Sequence, residues 1–249
     1  MRPPLRLLAA CATTLLVGGS LVAQAPVKPV VPAGWTTAGT LDAGFVSATG
    51  NTDLTTLSLG DKLTLKNAAW TLSHSLAYVY GKTSGKESAN QLRIGARADY
   101  AVGPRVGLFA GVQFERNAYA GFNSRIEELA GVQWKAIDDS SDALTIDGGG
   151  GLTQQDNTDG TSARSPSARA AAAYKHTFKA NTYFAQNVEY VADLNESGAY
   201  RMNSETALVA PIAKSISLKV SYLYQYNSRP PVKFGTTDRV FTSGLQISF

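Results

Sequence analysis

From Trp35 to Phe249 apolar side chains recur at every second position, segment after segment, which limits the chain to β-strands with one apolar and one polar face. The clearest stretch sets Ile216, Leu218, Val220, Tyr222, Tyr224 and Tyr226 against Ser217, Lys219, Ser221, Leu223, Gln225 and Asn227. Leu92, Ile94, Ala96, Ala98 and Tyr100 alternate in the same way with Gln91, Arg93, Gly95, Arg97 and Asp99. The pattern returns in Leu57, Leu59, Leu63 and Leu65, and in Val106, Leu108, Ala110, Val112 and Phe114. No helical period is present.

Turn residues divide the alternation into segments beginning near residues 35, 55, 70, 90, 105, 125, 143, 165, 182, 199, 215 and 237. A soluble sandwich alternates too, but its strands average about 5 to 6 residues; segments of roughly 10 to 13 match the 9 to 11 that cross a bilayer at a tilt. Bacterial outer-membrane barrels take an even number of strands. With 44% hydrophobic and 17% charged residues the chain is too apolar to stay disordered. Beyond the N-terminus no apolar run approaches the roughly 18 residues of a spanning helix. The expected fold is all-β: a transmembrane up-and-down antiparallel barrel of about twelve strands over residues 35–249.

Connections alternate in length. Tight ones fall at Asn67-Ala68, Gly103-Pro104, 138–142, 176–181 and Ala213-Lys214, and longer ones at 81–89, 117–124, 156–164 and 228–236. Short periplasmic turns and long external loops produce this asymmetry; the short Gly50-Asn51-Thr52-Asp53 connection is the exception among the external set. The apolar phase puts Trp35, Trp70, Tyr100, Trp134, Tyr174 and Phe249 at one set of strand ends. Phe45, Tyr78, Tyr80, Phe114, Tyr190, Tyr224, Tyr226 and Phe241 fall at the other, as two interfacial belts require.

Residues 1–25 read as a cleaved signal peptide, with Arg2 and Arg6 ahead of an apolar centre and small residues at Ala23 and Ala25. Pro26 disfavours cutting after Ala25 and leaves the position after Ala23 open. Leu8-Ala9-Ala10-Cys11 has the form of a lipoprotein signal, but too little apolar sequence precedes the cysteine and too much follows it. Residues 26–34 form a Pro-rich periplasmic lead. The processed chain then has no cysteine, and losing Arg2 and Arg6 brings the formal charge from +4 to about +2. Nothing in this charge distribution calls for nucleic acid.

The last strand carries Thr242-x-Gly244-x-x-Ile247-x-Phe249, a polar residue, a glycine and alternate apolar residues ending on an aromatic. It looks like the signal read by the outer-membrane barrel assembly machinery. Gly50-Asn51-Thr52, then Glu115-Arg116 with Gly121-Phe122, then Asn227-Ser228-x-Pro230-Pro231 follow in order along the chain. Together these resemble the YdiY-like family of salt-induced outer-membrane proteins, over about residues 35–249. The resemblance implies the barrel and its location in the bacterial outer membrane, among lipid and lipopolysaccharide; it implies no activity.

The polar phase carries Asp42, Lys62, Lys66, Arg93, Arg97, Asp99, Glu115, Arg125, Glu127, Lys135, Asp147, Arg169, Lys175, Glu189, Glu205 and Lys219. A selective pore shows rings of one sign, whereas mixed charges on neighbouring strands point to cross-strand ion pairs inside a narrow lumen. Long Arg and Lys side chains have the reach to close what twelve strands leave open. In the lipid-facing phase Asp61 interrupts a leucine series and His74 interrupts Leu72 and Leu76. A two-residue turn at Asn67-Ala68 would set these two directly opposite each other, sharing a hydrogen bond.

Catalysis has little to stand on. His176 is expected in a solvated turn, and Ser73 and Ser75 flank His74 on the other face, so no nucleophile accompanies either histidine. Two scattered histidines supply no metal cluster, and no cofactor motif is present; Gly148 to Gly151 sits within a strand, where it serves a bend or close packing. The expectation is a structural or narrow passive-diffusion barrel of unassigned solute. Its alternatives are an outer-membrane lipid hydrolase and a surface receptor or adhesion barrel.

Overall fold

The computed structural model describes residues 34–48 and 54–249. The signal peptide, nearly all of the Pro-rich lead and the Gly50 to Asp53 connection lie outside the described residues.

Twelve strands form one closed barrel. They are β1 (Thr36–Ala48), β2 (Leu54–Lys66), β3 (Trp70–Thr83), β4 (Lys86–Ala101), β5 (Val106–Asn117), β6 (Phe122–Asp138), β7 (Asp142–Asn157), β8 (Ser162–Thr177), β9 (Tyr183–Asp193), β10 (Tyr200–Pro211), β11 (Ile216–Asn227) and β12 (Thr237–Ser248). Each pairs antiparallel with its neighbours in sequence, and β1 closes on β12 through Thr40 to Gly44 facing Ser248 to Gly244. Closure gives every strand two neighbours, as a sheet that sits in hydrocarbon requires.

The two faces invert the order of a water-soluble protein. Leu41, Leu108, Val132, Leu208 and Leu245 on the outer face are each close to half exposed, while Glu115 and Glu127 on the inner face are 3% exposed. Alternation produces both at once, because neighbouring residues of a strand point to opposite faces. Trp70, Tyr100, Trp134 and Phe249 are exposed at the strand ends nearest the termini, and Trp70 and Tyr100 pack with ring centroids 4.9 Å apart. Phe45, Tyr190 and Phe241 are exposed towards the opposite end.

The long connections expected at 81–89, 117–124 and 156–164 are shorter, with at least half of each taken up by strand. Ser84 and Gly85, with φ of 52° and 74°, make a two-residue turn whose twist matches the flanking strands, so β3 and β4 continue up to it. A single 3-10 turn, Ala118–Ala120, joins β5 to β6, and residues 158–161 join β7 to β8. In the latter the Asp159 carboxylate accepts from the Thr161 hydroxyl and amide, which holds its pKa below the usual carboxylate range. At the other end Asp139 accepts from the amides of Asp142 and Ser141, with the same effect. The 228–236 connection is the one long loop that the sequence reading and the structure share.

His176 is not in a turn: it lies in β8, and its Nδ1 is 2.8 Å from Asp142 Oδ1 across the pair with β7. The strand runs two residues further than the alternation indicated, because this contact and the Tyr174 hydroxyl on the same carboxylate hold its end.

Candidate functional site: an ion-paired lumen and its strap

Register sets Arg93, Glu115, Arg125 and Gln155 in one row across β4, β5, β6 and β7. Arg93 Nη2 donates to Glu115 Oε1 at 3.1 Å, Arg125 Nη1 to Glu115 Oε2 at 3.3 Å, and Arg125 Nε to Gln155 Oε1 at 2.8 Å. Gln91 Nε2 adds a 2.7 Å bond to Glu115 and reaches Gln225 Oε1 on β11 at 3.2 Å. Buried carboxylate and guanidinium groups persist when paired and hydrogen-bonded in this way.

A second network lies nearer the termini. Arg97 donates to both Asp99 oxygens and to Asp147 Oδ2 at 2.6 Å; Arg169 contacts that same oxygen at 3.3 Å and Glu189 Oε2 at 2.8 Å. The guanidinium carbons of Arg97 and Arg169 sit 4.1 and 5.7 Å from the centre of the Phe109 ring, an attraction between cation and ring face. Phe109 faces Gly131, where a Cβ would come within 2.9 Å of the ring and 2.2 Å of the Gly148 carbonyl. Gly149 faces Gly131 in turn, so glycine is what lets the wall approach itself beneath Phe109.

Arg201 pairs with Glu127, joining β10 to β6, and Lys219 donates to Asp42 at 2.8 Å. The structure thus gathers Arg93, Arg97, Asp99, Glu115, Arg125, Glu127, Arg169 and Glu189 into connected pairs inside the lumen. Glu205 lines the same space but has no ion-pair partner among the described residues. Arg201, Gln91, Gln225 and Phe109 were not singled out in the sequence. Arg201 stands in the polar phase two residues before Asn203 and is open to the same reading; Phe109 is an apolar residue in the lumen-facing phase of β5 and gives no polar signal.

Because Gln91 meets Gln225 and Arg201 meets Glu127 across the interior, the lumen is not an open tube. Elsewhere in the lumen lies a cavity of about 280 Å³, bordered by Arg97, Asp147, Arg169 and Glu205, and one of about 240 Å³, bordered by Asp42, Lys62, Arg93 and Lys219.

Residues 228–236 form a strap over the end away from the termini. Ser228 is tied to β10 by its amide to Tyr200 O, 2.9 Å, and by its hydroxyl, which accepts from Tyr200 N at 2.8 Å. Arg229 pairs with Glu196 and donates to Ser197 O at 2.9 Å. The strap then reaches the β5–β6 connection, which stands six strands away in the ring of twelve and therefore across the mouth. A Cβ on Gly121, whose φ is +91°, would lie 2.7 Å from the Phe234 ring and 2.8 Å from Pro231. Below it Phe122 is 2% exposed, with the Arg125 guanidinium 3.8 Å from its ring centre. Glu115, Gly121, Phe122, Asn227 and Pro230, set far apart in sequence, converge on this mouth.

The residues of the terminal motif lie along the seam. Gly244 faces Gly44, and a Cβ on Gly244 would meet the Ala43 carbonyl at 2.1 Å. Thr242 faces the lumen beside Ser221, Ile247 is 45% exposed on the outer face, and the Phe249 ring covers Gly39 while its backbone exchanges bonds of 2.9 and 3.0 Å with that glycine.

On the outer face His74 Nδ1 lies 3.1 Å from Asp61 Oδ2. They are not opposite each other: Asp61 faces Leu76 and His74 faces Leu63. The turn is longer than two residues, since Asn67 Oδ1 accepts from the amides of Ala69 and Trp70 and Asn67 N donates to Trp70 O. Lys66 consequently faces Thr71 rather than Ala69, and the two polar side chains meet diagonally.

A closed antiparallel barrel with an apolar outer face and a charged, hydrogen-bonded interior is a transmembrane β-barrel. The chain belongs to the family described as "Protein of unknown function, DUF481", which matches residues 41–249. It is 26% identical over 213 residues to "Uncharacterized protein YdiY" of Escherichia coli (strain K12), covering 84% of this chain and 82% of that one. Among solved structures it is similar to the NanC porin, with a TM-score of 0.48, 11% identity, and 85% of this chain and 97% of that one covered. Similar too is the translocator domain of the autotransporter NalP from Neisseria meningitidis, with a TM-score of 0.47, 14% identity, and 89% and 90% covered.

Proposed function

We propose that the protein is an integral outer-membrane barrel that acts as a narrow passive-diffusion channel for small solutes. In this reading it is exported by its signal peptide, inserted by the barrel assembly machinery through the Thr242 to Phe249 motif, and surrounded by lipid and lipopolysaccharide. The end carrying the strap faces outward and the chain termini face the periplasm. One observation carries the reading: the lumen is lined by charge and narrowed by side chains that meet across it, Gln91 with Gln225 and Arg201 with Glu127. Paired charges of both signs favour weak discrimination between ions over strong selectivity.

Planar-bilayer recording of the refolded protein tests this. Small, stable openings are expected, increasing when Arg201→Ala and Gln225→Ala remove two of the crossings. Silence of wild type and variant alike, with folding verified by heat-modifiable gel mobility, would leave a purely structural role.

A further inference from the structure

Beneath the strap lies a chamber of about 230 Å³, separate from the lumen cavities described above. Its wall is built by β7, β8 and β9 from Thr153, Gln155, Ser165, Ser167 and Asp193, with Arg201 of β10 beside them, and Arg229 and Pro230 border it on the strap side. That volume is below the roughly 300 Å³ at which drug-sized pockets begin. At roughly 30 Å³ for each water of liquid it matches a handful of waters, or one small organic solute.

Its charges are satisfied internally. Arg201 pairs with Glu127 and donates to Thr153 Oγ1 at 3.3 Å; Arg229 pairs with Glu196. Asp193 accepts from the Ser165 hydroxyl at 2.6 Å and from the amides of Asn195 and Glu196. An entering ion would meet no uncompensated opposite charge and would lose its hydration, whereas a neutral molecule with several hydroxyls exchanges water bonds for equivalent ones. One buried wall group, the hydroxyl of Ser167, a residue 3% exposed, has no hydrogen-bond partner.

We infer that this chamber is a binding site for a small neutral polyhydroxylated solute, which enters when the strap lifts. Among the ties that hold the strap, the ion pair is weak: Arg229 and Glu196 are each 53% exposed, and an exposed ion pair contributes about 0 to 1 kcal/mol. The inference rests on the diffusion reading for its physiological sense but not for its chemistry.

Saturation-transfer NMR on the folded protein in detergent micelles, with mannitol and glucose as neutral probes and glucuronate and glucosamine as charged ones, tests it. Transfer to the neutral probes is expected, several-fold stronger than to the charged ones. Ala163, on the chamber rim, and Ala199, in its roof, belong to no ion pair; Ala163→Trp and Ala199→Phe fill the space from two sides. Either variant, folded by heat-modifiable mobility, is expected to lose at least tenfold in affinity. No transfer to the neutral probes, unchanged transfer in the filled variants, or preference for a charged probe would overturn the site. Mannitol binding together with a silent bilayer would sink the diffusion reading and leave the chamber standing.

Discussion

His74 and Asp61 touch on the lipid-facing side of the barrel wall, 3.1 Å apart, although neither is the other's partner across the ladder. Each alone would present an unsatisfied polar group to hydrocarbon, and together they lower that cost. Asp61→Leu or His74→Leu singly is expected to destabilise the barrel by about 1 to 3 kcal/mol, the penalty of the partner left unbonded. The double substitution is expected to recover much of the loss. Urea unfolding in micelles reads the cycle, and additive losses would mean that the contact contributes nothing.

The same contact shows where sequence reading stopped. Alternation located the strands to within a few residues and assigned the faces, because a strand in a bilayer leaves its period in every other side chain. It could not set the register of β2 against β3, which depends on whether Asn67 closes a two-residue turn or caps a longer one with its side chain. The lumen pairs were legible as a mixture of signs, and facing pairs such as Arg93 with Glu115 followed once register was known. Contacts between non-adjacent strands, such as Arg201 with Glu127 and Arg97 with Asp147, depend on the diameter and shear of the closed barrel, which no local pattern encodes. The 228–236 loop is legible as a loop, but its crossing to the far wall is not, since Gly121 and Phe234 belong to opposite walls.

Phe249 covers Gly39 and bonds its backbone in both directions, so the aromatic end of β12 forms part of the closing seam. Phe249→Ser, and deletion of Phe249, are expected to lower the amount of folded, heat-modifiable protein in outer-membrane fractions while leaving export unchanged. Equal insertion of both variants and wild type would remove the assembly role assigned to this end.

Orientation can be read by chemistry, because the processed chain is expected to lack cysteine. Ser84 and Asp159 sit in turns at the end opposite the termini, and Asp139 in a turn at the same end as the termini. Single cysteines at Ser84 or Asp159 are expected to react with a membrane-impermeant thiol reagent on intact cells, and one at Asp139 only after the outer membrane is opened. The reverse pattern would turn the barrel over.

Glu115 separates two kinds of ion pair in this molecule. Its side chain is 4% exposed and answers both Arg93 and Arg125, the latter 7% exposed, whereas Arg229 and Glu196 in the strap stand half in water. Removing one member of a buried network leaves charge without a partner, at a cost of about 3 to 5 kcal/mol, while an exposed pair contributes about 1 kcal/mol or less. Glu115→Ala is therefore expected to lower stability in urea several times more than Arg229→Ala. Sign decides the second readout: Glu115→Ala leaves Arg93 and Arg125 uncompensated beside the crossing of Gln91 and Gln225, so any current through the barrel is expected to shift towards anions. Reversal potentials across a salt gradient in planar bilayers measure that shift, and an unchanged ion preference in a folded variant would show that this row lies off the conducting path.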